Sequence, residues 1–207
     1  MRSIFILILL CLTFDVAVAQ SYQDTISFRH FDEVYNRLRS RIKSDKAADL
    51  EFRFWTHYST TDFTSLLLFS KVGTQWKSKR FEYYSSRRNP IKEVAINQNN
   101  IDSVWNVLVE NKVLVLPTEE VLKPLRRKFV IDTLQIRSSD VFTYNASHLL
   151  DGIVYGFEML SDSGGRRYSY GSPAYQLKSY PNIEEYYRVA VIINVLSYYL
   201  GEPMREF

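Results

Sequence analysis

Cysteine is nearly missing from this chain: 207 residues contain one, Cys11. It sits inside an apolar N-terminal run, residues 4–12, and follows Leu10 rather than the small residue that a lipid-modified cysteine requires. Once that segment is removed no thiol is left, which excludes a cysteine nucleophile, a disulfide and a cysteine-ligated metal together. Glycine and proline are also scarce, at seven and six, and this favours long regular elements over a loop-rich scaffold. The three histidines, His30, His57 and His148, are far apart, and none has a second His or Cys at ligand spacing. No metal site and no cofactor are therefore expected. The chain also lacks a Gly-rich phosphate loop with its lysine, a dinucleotide fingerprint, a zinc-protease His-Glu helix and a Gly-x-Ser-x-Gly elbow. Charge is nearly balanced: 26 Lys+Arg against 23 Asp+Glu leave +3, too little to imply a nucleic-acid partner.

What remains is a globular composition, 46% hydrophobic, 15% aromatic and 24% charged, which excludes wholesale disorder, collagen and low-complexity scaffolds. A chain of this length buries roughly 70% of its unfolded surface in one domain without covalent staples. Arg2, the apolar run and Ala17-Val18-Ala19 make the three parts of a secretory signal peptide over residues 1–19, leaving Gln20 first. A membrane anchor is the rival reading, but residues 4–19 include Asp15 and fall short of the about 20 apolar positions a spanning helix needs. The expectation is an exported, periplasmic or extracellular protein of residues 20–207. It would be free of cysteine and of integral membrane segments, and would suit a bacterial envelope.

Apolar residues at Phe28, Phe31, Tyr35, Leu38 and Ile42 predict an amphipathic helix over 27–44 capped by Ser27. From Leu50 the period becomes two over a strand at 50–58. A second strand over 63–72, apolar on both sides at Leu66, Leu67, Leu68 and Phe69, and a third over 75–85 follow, joined by short turns into an antiparallel meander. A helix follows over 100–112, then a short helical turn between Pro117 and Pro124, then a loosely alternating strand over 129–136. Residues 140–151 show no regular pattern. A hairpin is predicted from 152–161 and 166–170, and a closing helix begins at a capping box of Asn182 and Glu185 and stops at Gly201 and Pro203. Strands grouped together rather than alternating with helices indicate a single α+β domain, an antiparallel sheet packed with about three helices.

The polar face of the first strand is the first candidate site. Period two aligns Glu51, Arg53, Trp55 and His57, and the expected hairpin turns bring Leu66, Arg80 and Glu82 alongside. Left open, this face would offer an indole among cations for a sugar ring or a peptide, and His57 with Glu82 or Glu51 would make an acid–base pair. Covered by a helix, as Leu66 and Leu68 suggest, it is core with charged rims. The second candidate is the tyrosine-rich C-terminal part. There Arg166, Arg167, Tyr168 and Tyr170 form either a binding surface or a strand with its rings inward and Arg167 outward. The clusters Arg87-Arg88 and Arg126-Arg127-Lys128 read as solvated surface.

Two functions follow. The first is a non-catalytic binding or interaction protein of the envelope, its partner a protein or a glycan, with Trp55, Arg53, His57, Arg80, Arg167 and Tyr168 as the binding residues. The second is a glycan- or peptidoglycan-acting hydrolase with paired carboxylates drawn from Glu51, Glu82, Glu119, Glu120 and Glu158. Glu158, set between Phe157 and Met159, requires a partner such as Arg167 across the hairpin.

Overall fold

The computed structural model describes residues 25–39, 42, 48–58, 60–134, 152–162 and 164–201. The expected signal segment, the irregular stretch 140–151 with His148, and Pro203 lie outside them. Among the described residues six strands form: β1 (Leu50–Tyr58), β2 (Phe63–Val72), β3 (Gln75–Tyr84), β4 (Ile91–Val94), β5 (Ile153–Ser161) and β6 (Gly164–Gly171). They make one antiparallel sheet in the order β4-β3-β2-β1-β5-β6. The meander and the late hairpin are both present, and the pairing of β1 with β5 fuses them. β4 is an addition to the expected set, because Ile-Lys-Glu-Val is too short to show a period.

Among the described residues five helices accompany the sheet: α1 (Thr25–Leu38), α2 (Ile101–Glu110), α3 (Glu119–Leu134), α4 (Pro173–Ser179) and α5 (Glu184–Tyr199). The α+β class holds, with more helices than the about three expected. Ser27 lies inside α1 rather than capping it. The strand expected over 129–136 is corrected: residues 129–134 continue α3. A short apolar run fits either period, and here a helix already running through Leu122 and Arg126 carries on. Pro124 in its second turn removes one backbone donor without ending it. The capping box does not form either. Ile183 occupies the cap position of α5 with no side-chain cap bond. Gly201 stops α5 as expected, in the left-handed region at φ 68 with its N–H 3.0 Å from the Tyr198 carbonyl.

Two cores sandwich the sheet. Even-numbered residues of β1, such as Phe52 and Phe54, join Leu67, Phe69, Phe157, Tyr168 and Tyr170 beneath α2, α3, α4 and α5. On the other face Trp55, Leu66, Leu68, Phe81 and Tyr83 pack against Phe28, Phe31, Val34 and Leu38 of α1, and Ile42 joins the same cluster. β1 is consequently buried on both sides, not one.

One register differs from the expectation, with consequences for the site. The β2–β3 turn takes two residues, Gly73 and Thr74, with Val72 opposite Gln75, so Leu66 faces Phe81 and Leu67 faces Arg80. A one-residue shift turns every side chain of a strand to the opposite face. Arg80 and Glu82 accordingly lie on the face away from Trp55.

Candidate functional site

The side chains singled out on β1 separate into a charged row and a histidine pair, both beneath α1. In the row, Arg53 is opposite Glu158 on β5, and Glu158 is opposite Arg167 on β6. Glu158 is 3% exposed. It accepts from Arg53 Nη1 at 3.1 Å and from Arg167 Nη2 at 2.5 Å. Arg53 also donates through Nε to Glu51 Oε1 at 2.6 Å and through Nη2 to the Tyr35 hydroxyl at 2.9 Å, and its guanidinium lies 4.2 Å from the centre of the Tyr35 ring. Arg167 is half-buried rather than turned out to solvent. It grips both Asp32 oxygens, at 3.2 and 2.6 Å, and lies 4.4 Å from the centre of the Phe28 ring.

Phe28, Asp32 and Tyr35 all belong to α1, so the charged row fastens that helix to the sheet. Burial opposes the charge on Arg53, but Glu51 and Glu158 outweigh it and hold the guanidinium protonated beyond its ordinary range. For Arg167 likewise, burial is outweighed by Asp32 and Glu158.

Trp55 is fully buried, 0% exposed, and stacks on Phe31 with centroids 5.3 Å apart and planes at 18°. The covered alternative for this face is therefore the arrangement found, and α1 occupies the place where a ligand would stack on the indole. Room for Phe31 comes from Gly156, which faces Trp55 across β1–β5. A Cβ there would lie 2.5 Å from Phe31 Cε2.

His57 meets neither proposed acid–base partner. Glu82 projects from the other face, bonded to Arg80 Nη2 at 3.0 Å and the Tyr84 hydroxyl at 3.1 Å. Glu51 lies six residues along the same strand, about 20 Å away. The neighbour of His57 is instead His30 of α1, with ring centroids 4.0 Å apart. His30 Nε2 and His57 Nδ1 both approach Thr64 Oγ1, at 3.0 and 3.1 Å. This pair brings together two histidines 27 positions apart in sequence, and no local spacing signals it. Among the described residues no group of three or more His, Cys, Asp or Glu is placed to hold a metal ion.

On the opposite face, Tyr168 and Tyr170 point inward. Their hydroxyls donate to the carbonyls of Val113 and Pro117, while Arg166 donates to those of Leu114 and Leu116. Three side chains of β6 thus satisfy four carbonyls of the α2–α3 connection. Burial pushes both phenol pKa values well up, so each remains a donor throughout the ordinary pH range. Tyr168→Phe leaves the Val113 carbonyl without this donor. It is expected to lower unfolding free energy by about 1–2 kcal/mol, read from urea denaturation, without changing the secondary structure. Arg126, expected at the surface, is buried on α3. It lies 3.9 Å from Glu119 and donates to Gln176 at 3.4 Å.

Among the described residues no helix is long and apolar enough to cross a membrane. No family model, curated protein or solved structure matches the chain, and its function is read from these residues alone.

Proposed function

We propose that the chain is an exported, non-catalytic binding or interaction protein of the bacterial envelope, acting on a protein or glycan partner. The observation that carries this reading is the placement of Glu158, held between two arginines beneath α1. A carboxylate-based hydrolase needs one carboxyl free to exchange a proton and a second facing it across a cleft. Each of the five carboxylates considered has a cationic partner instead: Glu51 and Glu158 have Arg53, Glu82 has Arg80, Glu119 has Arg126 and Glu120 has Lys123. For contact with a partner, the helical side presents exposed apolar and aromatic side chains, among them Leu114, Val115, Val121, Leu125 and Tyr187.

The test is thermal unfolding against a panel of glycans, peptidoglycan fragments and peptides, with the mixtures analysed for product. A ligand at 100 times its Kd adds about 2.7 kcal/mol and raises the midpoint by several degrees. A shift confined to one ligand class, with that ligand recovered intact, is the expected result. Turnover that disappears in a folded Glu158→Gln variant would sink the reading in favour of the hydrolase. Export is checked separately: the secreted protein is expected to begin at Gln20, and an uncleaved membrane-bound chain would contradict it.

A further inference from the structure

We propose that His30 and His57 form a pH-sensitive latch, which holds α1 against the sheet at neutral pH and loosens it in mild acid. The inference rests on the contact between α1 and the sheet and is independent of the partner the protein binds.

The geometry sets the protonation states that fit. Thr64 is 1% exposed, and its hydroxyl, which has a single proton, lies between the two ring nitrogens. It donates to one imidazole and accepts from the other, an arrangement that two neutral rings satisfy. The Phe63 carbonyl, 3.3 Å from His57 Nδ1, assigns the N–H to that nitrogen and makes His30 Nε2 the acceptor. A proton on His30 Nε2 turns this acceptor into a second donor and leaves the Thr64 hydroxyl proton without its partner. A proton on each ring also places two cations side by side, with centroids 4.0 Å apart and planes tilted by 34°.

The surroundings do little to relieve this. Burial lowers the pKa of both rings, and His30 lowers that of His57 further. Glu33 raises that of His30, and the Phe63 carbonyl raises that of His57, each by less than burial lowers it. Glu33 is itself 3.5 Å from Arg29 on the exposed side of α1. β3 contributes Tyr83 opposite Thr64, with Arg37 of α1 5.9 Å from its ring centre, and β5 contributes Val154 opposite His57. Asp32 and Tyr35, further along α1, are engaged with Arg167 and Arg53.

The sign follows from linkage. Both folded-state pKa values lie below the ordinary 6.5. The docked state is therefore fully favoured above about pH 6.5 and loses ground as pH falls toward the lowered values.

The experiment follows amide hydrogen exchange of α1 in the purified full chain from pH 7.5 to 5, corrected for intrinsic exchange, together with the imidazole proton resonances. Protection of α1 is expected to fall at least tenfold between pH 7 and 5 while the central strands stay protected, with both rings titrating below 6.5. His30→Gln with His57→Gln is expected to flatten this response. Rings that titrate at or above 6.5, or protection that does not change with pH in the native chain, overturn the proposal even if the double variant does not fold. A double variant that folds and keeps the full response also overturns it, because the effect then lies outside the histidine pair.

Discussion

Arg53→Ala is expected to lower unfolding free energy by about 3–5 kcal/mol, measured by urea denaturation at neutral pH. The size follows from what the substitution leaves behind. Arg53 is the shared partner of Glu51 and Glu158, two carboxylates 6% and 3% exposed, and it also donates to Tyr35. Alanine strands both charges beneath α1, with Arg167 remaining for Glu158 alone. Removing one member of a buried ion network is far more damaging than removing the network as a unit. Replacing Arg53, Glu51 and Glu158 together by Met, Leu and Leu is therefore expected to restore most of the loss. A small effect of Arg53→Ala, within the about 1 kcal/mol typical of surface pairs, would mean that α1 does not seal this row from water.

The second large effect concerns Phe31. Phe31→Ala is expected to cost about 3–5 kcal/mol, because the ring is 1% exposed and fills the space between Trp55 and Gly156. Gly156→Ala is expected to cost about 1–3 kcal/mol from the opposite cause, a methyl group driven into the same ring. Introduced together, the two changes should cost less than their sum by at least about 0.5 kcal/mol, because the alanine at 156 enters space that Phe31 has vacated. Strict additivity in the double-mutant cycle would show that the ring and the glycine do not share that space. The same variants bear on α1 more widely: exchange protection of α1 should fall in Phe31→Ala while β2 and β3 remain protected.

The local code of the strands was easy to read, and the reason is geometric. Leu50 to Tyr58 alternates over nine residues, long enough for period two to stand out, while Phe63 to Val72 is marked by the short apolar run Leu66 to Phe69 of a strand buried on both faces. The Phe28, Phe31 and Leu38 stripe of α1 is legible for the same reason at a period of 3.6. The pairing of Glu158 with Arg167 was also within reach, because a tight hairpin leaves few registers for two nearby strands. β4 and α4, four and seven residues long, are too short to carry a period. The C-terminal part of α3 was misread because its alternation is weak and its helix is inherited from the turns before it.

The sequence by itself determined an α+β chain with a three-stranded meander, a late hairpin and amphipathic helices at either end, since periodicity records which side chains must leave water. It also identified Arg53, Glu158, Trp55 and His57 as residues needing an explanation, since charge, indole and imidazole are conspicuous in an apolar strand. Only the tertiary structure decided how they are used. The two-residue turn after Val72 moved Arg80 and Glu82 to the other face, and one helix laid across the sheet turned an apparently polar surface into core. It was this helix that brought His30 to His57 and Asp32 to Arg167. These contacts join residues separated by 27 and 135 positions, and no local pattern encodes a distance that only packing closes.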